Sequence, residues 1–280
     1  MNRAALPPLA SGELHVYLMN WTEHTAASAT SQLQLSASEL ASSLRFRFPE
    51  HQHRYTRARA GLRSLLSHYT QQPAEQIVIA QGAHGKPYLP EHPLHFNLAH
   101  SGEYVLYAFS TTPDLLLGVD IEKIQERDSL AIAERFFSAR EFTELTQLPQ
   151  NQQTQAFFQI WTQKEAFIKA IGQGLSYPLQ QFDVSATGPA AVHALRDSHY
   201  ASHSWFSTLL PVPEGYCACC TLSEAPTRIL SLCVQMPQDA QTIQLTTAEH
   251  ERFLHSLDHP KAPNRYLKAL FAKQSSKNGY

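Results

Sequence analysis

Residues 115–121 read LLLGVDI, a continuous apolar run that is interrupted only by Gly118 and Asp120. A short run of this kind predicts a strand that is buried on both faces. The segments before it favour strands around one long helix, whereas the segments directly after it favour helices. We therefore expect the chain to change its local structure at this strand and place a domain boundary there.

Outward from this strand, both halves of the chain combine helices with strands whose spacing is typical of antiparallel pairing, which predicts an α+β fold of two similar lobes. On the N-terminal side the predicted strands are 13–19, 77–80, 94–98 and 104–110, and the helices are 36–44, opened by an S-x-x-E capping box, and 51–69. On the C-terminal side the helices are 130–137, capped by Asp128 or Ser129, 138–147, opened by a second S-x-x-E box at Ser138 and Glu141, and 152–171. The strands there are 182–185, 204–210, 215–222 and 229–236. We predict an N-terminal lobe over 1–117, a C-terminal lobe over 118–245, and a C-terminal helical extension with a loose tail over 246–280.

Composition excludes several classes of protein. The 280 residues carry 22 Lys and Arg against 24 Asp and Glu, a net charge of -2, which argues against a general nucleic-acid binder. Hydrophobic residues make up 43% of the chain, enough for a substantial core. No apolar run is long enough to span a membrane, and the first residues contain no apolar stretch typical of a secretory signal. We therefore expect a cytoplasmic protein with no nucleic-acid or membrane partner.

The four cysteines are Cys217, Cys219, Cys220 and Cys233. Cys217 and Cys220 have the C-x-x-C spacing of zinc and redox sites, but a structural zinc site needs a second ligand pair. Free cysteine is among the most buried residue types, so a buried strand is the better interpretation.

Two patterns carry carboxylates. On a strand, Asp120 and Glu122 share one face while Val119 and Ile121 point the other way, so the two acids can share one Mg²⁺ or can simply be solvated at a strand end. On the helix 152–171, Trp161, Glu165 and Lys169 are spaced four apart and share one face. The Glu–Lys pair can be an ordinary ion pair, or a partly buried carboxylate able to bind metal or accept a proton.

Three further patterns can bind an anion, although each is also compatible with an ordinary structural role. Residues 82–87 (GAHGKP) combine flexible glycines with Lys86 but lack the P-loop spacing. Residues 96–101 (FNLAHS) place polar side chains at a strand end. An arginine cluster lies on or before the helix 51–69, with Arg54 and Arg59 beside its buried stripe and Arg57 and Arg63 facing outward. Such a local positive patch on a nearly neutral chain suits a polyanionic small molecule or an acidic protein.

Taken together and in this order, the motifs resemble those of the surfactin-synthetase-type 4′-phosphopantetheinyl transferases. The matching stretches are residues 85–87 (GKP), 96–101 (FNLAHS), 118–122 (GVDIE), 135–138 (RFFS), 161–169 (WTQKEAFIK) and 174–176 (GLS). The likeness runs from about residue 54 to residue 184, nearly half of the chain.

The resemblance implies an activity and a fold. Enzymes of this family move the 4′-phosphopantetheine arm of coenzyme A onto a serine of an apo acyl- or peptidyl-carrier protein, require Mg²⁺ and release adenosine 3′,5′-bisphosphate. Their fold is a pseudo-two-fold α+β monomer of two lobes, with coenzyme A in the cleft between them. This agrees with the two lobes predicted from the order of helices and strands.

Residue roles follow from the same resemblance. Asp120, Glu122 and Glu165 would hold the metal, Glu165 would also serve as the base for the carrier serine, and Lys169 would neutralise phosphate charge as a catalytic and coenzyme A-binding group. The remaining coenzyme A-binding residues would be Arg54, Lys86, Pro87, Asn97, Ala99 and His100.

Two departures from the family pattern concern phosphate binding. Ala99 stands where the family often has serine, which removes a hydroxyl contact. Glu39 and its neighbours stand where family members can carry lysines, and Glu39 would repel a phosphate that it faced. Binding of the 3′-phosphate would then depend on arginines or would be weaker.

Two alternatives stay open at this point. One is a magnesium-dependent phosphoesterase or nucleotidyl transferase, and the other is a non-catalytic coenzyme A-binding scaffold. The sequence does not name the carrier protein, nor does it assign a role to residues 185–204 or to the C-terminal helix.

Overall fold

The computed structural model describes residues 6–21 and 34–234. In this part the chain mixes helices with sheets, compatible with the predicted α+β class. The strands are β1 (Glu13–Asn20), β2 (Ala80–Gln81), β3 (Pro87–Tyr88), β4 (His95–Ser101), β5 (Tyr104–Ser110), β6 (Leu117–Lys123), β7 (Phe182–Val184), β8 (Val192–Leu195), β9 (Phe206–Leu209), β10 (Tyr216–Leu222) and β11 (Arg228–Val234). The α-helices are α1 (Ala37–Ser43), α2 (Pro49–Thr70), α3 (Ser129–Phe136), α4 (Ala139–Gln147) and α5 (Gln150–Ile171). The predicted helices in 246–280 lie outside the described residues.

Two sheets form the centre of the molecule. The first has the strand order β11-β1-β5-β4 and the second has the order β6-β10-β9. All of their pairings are antiparallel except that of β11 with β1, which is parallel. Strand β11 follows the predicted domain boundary in sequence, yet it completes the sheet that belongs to the first half of the chain.

The two sheets meet along an apolar layer between their edge strands. Strand β4 and strand β6 lie next to each other, and the Asn97 side chain of β4 accepts a hydrogen bond from the Val119 N–H of β6 at 2.9 Å. Val119 and Ile121 are fully buried in this layer. The alternation predicted for β6 is confirmed, because Asp120 and Glu122 point to the opposite face.

Local signals at the helix starts are confirmed. Ser36 and Glu39 form the capping box of α1, and Ser138 and Glu141 form that of α4. The Asp128 carboxylate accepts a hydrogen bond from the Ala131 N–H at the start of α3. These side chains supply acceptors for helix N–H groups that have no partner within the helix.

Helix α2 differs from its prediction on one face. Arg57 and Arg63 were expected to face outward, which is wrong, because both are buried. Arg63 forms an ion pair with Glu39 and donates to the carbonyl oxygens of Ala74 and Ile77. The chain that follows α2 folds back over this face, and a helix pattern alone gives no sign of that.

The cysteines of β10 confirm the strand interpretation. Cys217, Cys219 and Cys220 are buried and free, whereas Cys233 is exposed on β11. Within residues 6–21 and 34–234, no helix is long and apolar enough to cross a membrane.

Helix α5 packs against the second sheet at unusually close range. A Cβ atom added to Gly118 of β6 would lie 2.0 Å from the Ala166 carbonyl oxygen and 2.3 Å from the Ala170 nitrogen, both in α5. Only a residue without a side chain allows this approach. The approach brings the acidic face of β6 against α5.

A buried ion pair fixes the other face of α5. Lys164 and Glu141 are both fully buried, and their charged atoms lie 2.8 Å apart. Lys164 also donates to the carbonyl oxygens of Leu179 and Phe182, and Glu141 accepts from the N–H groups of Ser138 and Val184. Burial lowers the pKa of Lys164 and raises that of Glu141, and their mutual attraction opposes both shifts.

We predict that Glu141→Gln lowers the free energy of unfolding by about 3–5 kcal/mol, because it leaves Lys164 charged and buried without a counter-charge. The single carbonyl oxygen of glutamine can keep the capping box of α4, but its amide nitrogen cannot accept from the Val184 N–H, so the loss reports the ion pair together with that hydrogen bond. Urea denaturation measures the change. Glu144→Gln in the exposed Arg140–Glu144 pair of the same helix is the control and should cost less than about 1 kcal/mol. Equal losses in the two variants would contradict a structural role for the buried pair.

Candidate active site

Two adjoining cavities share part of their walls; the first is lined by residues of the first half of the chain, and the second opens where the first half meets the second. Three residues line both of them: Arg59 of α2, and Leu98 and His100 of β4. The first cavity has a volume of about 360 Å³ and the second about 370 Å³. The first is aromatic and basic, whereas the second is acidic, so together they suit a ligand with chemically different ends.

The acidic cavity contains every acid that the sequence predicted as a metal ligand. Asp120 and Glu122 reach it from β6, and Glu165 and Lys169 reach it from α5. Trp161 lies one turn before Glu165 and lines the same cavity, which confirms that the three helix residues share one face. Pro87, Ala99 and His100 complete the predicted residues in its wall.

Asp120 is the most buried of these acids, with a side chain only 6% exposed. Its Oδ1 atom lies 2.6 Å from Lys169 Nζ, whereas its Oδ2 atom is buried without a hydrogen-bond partner among the described residues. Burial raises the pKa of this carboxyl, and the Lys169 charge opposes the rise. The Oδ2 atom of Asp120 is thus free to bind a cation or to accept a hydrogen bond.

Glu122 is held in place by Ser101. The Ser101 hydroxyl donates to Glu122 Oε2 at 2.9 Å and accepts from the Lys123 N–H at 3.0 Å, which joins β4 to β6. Burial, with the neighbouring charge of Asp120, raises the pKa of Glu122 to about 7. The sequence placed Ser101 in a motif but gave it no role, because its partner lies on a strand of the other sheet.

The pKa of Glu165 is raised further than that of Glu122. Burial raises the pKa of Glu165 to about 8, and the charge of Asp120 adds to this effect while Lys169 opposes it. A carboxyl with a pKa near neutrality is well suited to accept and release a proton.

The first cavity joins aromatic rings to arginines. Its wall is formed by Trp21, Phe46, His51, Arg54, Tyr55, Ala58, Arg59, Leu98, His100 and Gly102. The Trp21 and His100 rings are 5.3 Å apart between centroids, and the Arg54 guanidinium lies 5.9 Å from the Trp21 ring centre. The sequence predicted Arg54 and His100 here but missed Trp21, which carries no motif around it.

Two predicted coenzyme A-binding residues are engaged elsewhere. Lys86 Nζ donates to the carbonyl oxygens of Leu117 and Ala170 at 2.9 and 2.8 Å, and burial lowers the pKa of its ammonium to about 8. Asn97 is buried in the contact between β4 and β6. Neither side chain lies in the wall of the two cavities, although Gly85 and Pro87 beside Lys86 do.

Among the described residues, no group of three or more His, Cys, Asp and Glu side chains is arranged to hold a metal ion by itself. The acids of the second cavity therefore do not form a complete protein cage. Any cation bound there would need further oxygen ligands from water or from a bound molecule.

Comparison with known proteins identifies the family. Residues 116–221 match the 4′-phosphopantetheinyl transferase superfamily, and residues 19–112 match the 4′-phosphopantetheinyl transferase N-terminal family. The chain is 35% identical over 219 residues to the 4′-phosphopantetheinyl transferase psf-1 of Bacillus pumilus, a match that covers 77% of this chain and 85% of that protein.

Two other relatives agree. The 4′-phosphopantetheinyl transferase Sfp of Bacillus subtilis is 40% identical over 157 residues, which is 55% of this chain and 68% of that protein. The 4′-phosphopantetheinyl transferase HetI of Nostoc is 35% identical over 184 residues, 64% of this chain and 76% of that protein. Both family matches and all three relatives agree with the resemblance that the sequence motifs indicated, and the chain belongs to the 4′-phosphopantetheinyl transferase family.

Proposed function

We propose that this chain transfers the 4′-phosphopantetheine arm of coenzyme A to a serine of an apo carrier protein, and that the two adjoining cavities are its active site. The observation that carries the proposal is the acidic cavity containing Asp120, Glu122, Glu165 and Lys169, next to an aromatic and basic cavity, in a chain of this family. The alternatives of a phosphoesterase and of a non-catalytic scaffold find no support in the relatives, which are named as transferases.

In this proposal coenzyme A spans both cavities. Its nucleotide end occupies the first cavity, where Trp21 and Tyr55 offer ring faces and Arg54 offers charge. Its diphosphate lies in the second cavity beside Lys169 and the acids. We assign the second cavity to a cleft between two lobes, residues 1–117 and 118–245, because α2 and β4 line one side of it and β6 and α5 line the other. The first cavity adjoins this cleft on the side of the N-terminal lobe. The pseudo-two-fold monomer and the cytoplasmic location belong to the same proposal.

The acids fit a magnesium ion. Mg²⁺ usually keeps several waters and binds through one or two carboxylates plus substrate phosphates, so it does not need a complete protein cage. The partnerless Oδ2 atom of Asp120 supplies a buried, hard oxygen ligand, and Glu122 and Glu165 face the same cavity. When bound, the ion would stabilise charge on the diphosphate oxygens.

The chain's own residues supply the remaining chemistry. The carrier serine oxygen forms a bond to the phosphorus that bears the pantetheine arm, and the bond from that phosphorus to the bridging oxygen breaks, which releases adenosine 3′,5′-bisphosphate. Glu165, directly or through a water molecule, accepts the serine proton. The Lys169 ammonium stabilises the charge that gathers on the phosphate oxygens. The nucleophile belongs to the partner, so the chain needs no activated serine of its own.

The direct test is to incubate the full chain with coenzyme A, Mg²⁺ and a panel of purified apo-carrier proteins from fatty-acid, polyketide and peptide assembly lines. We expect the intact mass of at least one carrier to increase by the mass of one phosphopantetheine. Hydrolysis of coenzyme A without gain of mass on any carrier would contradict the proposal and favour the phosphoesterase.

For the metal role, we predict that Asp120→Ala nearly abolishes transfer, because it removes the buried Oδ2 oxygen that has no hydrogen-bond partner among the described residues. Mn²⁺ binding, followed by electron paramagnetic resonance, should weaken in the same variant. Glu103→Gln removes an acid that is paired with Lys123 outside the cavities and serves as the control. Full activity of Asp120→Ala in metal-depleted buffer would contradict the magnesium assignment.

For the base role, we predict that Glu165→Gln lowers kcat by about 10²–10⁴-fold, the usual contribution of general-base catalysis, while coenzyme A binding changes much less. Single-turnover rates and calorimetric binding measure the two effects separately. If Glu165 acts only as a metal ligand, raising Mg²⁺ should restore much of the rate. A near-normal kcat at ordinary Mg²⁺ would show that the helix face has no catalytic role.

A further inference from the structure

Lys86 lies in the turn between the short strands β2 and β3, beside the acidic cavity. Its carbonyl oxygen accepts from the Gly82 N–H at 2.9 Å, which closes the turn. Gly85 and Pro87, on either side of it, line the acidic cavity. The Lys86 side chain instead lines another cavity of about 140 Å³, to which Leu117 of β6 also contributes. The lysine of this motif is therefore absent from the walls of the proposed active site, whereas its two neighbours are present.

The Lys86 ammonium joins the two elements that carry the acids. Its Nζ atom donates to the Leu117 carbonyl oxygen of β6 at 2.9 Å and to the Ala170 carbonyl oxygen of α5 at 2.8 Å. Asp120 lies on the same strand as the first acceptor, and Glu165 lies on the same helix as the second. One side chain from a distant turn therefore links the strand of Asp120 to the helix of Glu165.

The acceptor in α5 is one of the carbonyl groups that have no N–H partner within the helix. Helix α5 ends at Ile171, so the carbonyl oxygens of its last four residues need partners from outside. The N–H groups of Gly172 and Gln173 bond to two of them, and Lys86 bonds to a third, that of Ala170. A cation is also favourable at this end of a helix, because the helix dipole is negative there.

Both hydrogen bonds lie at the close contact between β6 and α5. Leu117 directly precedes Gly118, and a Cβ atom on Gly118 would lie 2.3 Å from the Ala170 nitrogen. The stem of Lys86 also packs on the end of the helix, since a Cβ atom on Gly172 would lie 3.3 Å from Lys86 Cδ. Lys86 thus holds together, from outside, the strand and the helix that Gly118 allows to approach.

We propose that Lys86 is a positioning residue, which holds β6 against α5 and so sets the spacing between Asp120 and Glu165, rather than a coenzyme A-binding residue. The inference rests on the proposed function, in which these acids bind the metal ion and accept the serine proton. Without the two hydrogen bonds, the last turn of α5 loses a partner, and the strand and the helix can separate. Lys169, next to Ala170, moves with the same turn.

The proposal separates two properties of the site. The walls of the aromatic and basic cavity come from residues 21–102, without β6 or α5. Binding of a nucleotide there should therefore not depend on Lys86. Binding of the metal ion and catalysis should depend on it, because the acids lie on β6 and α5. A lysine that contacted coenzyme A directly would give the opposite result.

The experiment compares the full chain with Lys86→Met, which keeps an unbranched apolar side chain but removes its donors. Titration calorimetry gives the dissociation constant of adenosine 3′,5′-bisphosphate without metal, and electron paramagnetic resonance follows Mn²⁺ binding. Single-turnover rates report transfer to a carrier that the wild type modifies. Arg140→Met removes an exposed cation of α4 and is the control. Circular dichroism at the assay temperature establishes that each variant is folded.

We expect Lys86→Met to weaken Mn²⁺ binding and to lower the single-turnover rate, each by about tenfold to a hundredfold, the effect usual for a group that orients metal ligands. The dissociation constant of the bisphosphate should change by less than about threefold, well below the loss of one charged hydrogen-bonded contact. Arg140→Met should leave all three measurements unchanged.

Lys86→Gln is the milder variant, because it keeps N–H donors on a shorter, uncharged side chain. It should show the same pattern with smaller losses, so the test holds even if Lys86→Met does not fold.

A loss of bisphosphate binding as large as the loss of Mn²⁺ binding, in a folded variant, would overturn the proposal and assign Lys86 to the nucleotide. Unchanged Mn²⁺ binding and an unchanged rate would also overturn it. Failure of the proposed function gives a different result, since the wild type would then modify no carrier, while the two binding measurements would still report on Lys86.

Discussion

The contact between β6 and α5 at Gly118 determines the geometry of the acidic cavity. A methyl group at this position would overlap the Ala166 carbonyl oxygen, so any larger residue would separate the strand from the helix. Asp120 lies on that strand and Glu165 on that helix, and their short side chains cannot follow such a separation. An error of about 1 Å between reacting groups can cost a hundredfold in rate, which makes this glycine a condition for the proposed chemistry.

Lys164 and Glu165 are neighbours in α5, but their side chains point to opposite sides of the helix. Lys164 points into the core, where each of its bonds is made to a buried acceptor, and this fixes the rotation of the helix about its axis. Glu165, one residue on, points into the cavity, where its charge is only partly compensated. Because the buried pair resists rotation, the cavity can hold acids with raised pKa values without the helix turning them towards solvent. The ion pair of Lys164 on the core side of α5 thus holds Glu165 in the cavity although burial disfavours the charge of Glu165.

Local patterns predicted the fold better than they predicted the site. The capping boxes at Ser36 and Ser138 and the face shared by Asp120 and Glu122 depend on residues close in sequence, and they are confirmed. The helix pattern placed Arg63 on the outer face, which is wrong, because the segment after the helix covers that face and accepts hydrogen bonds from Arg63. The carbonyl partners of Lys86 lie on β6 and α5, and a sequence motif does not reveal such distant acceptors. Strand and helix spacing singled out the acids, and the family resemblance implied their roles, but neither gave a sign of Trp21.

The parallel pairing of β11 with β1 has a consequence for how the protein is made. During synthesis β1 emerges first, and its partner β11 emerges only after both cavities' residues have been added. Until then β1 keeps a row of unpaired N–H and C=O groups, the kind of edge on which chains associate. A polypeptide released before residue 228 would retain that edge and be prone to aggregate. Because β11 closes the first sheet, that sheet is complete only after nearly all of the described residues have been synthesised.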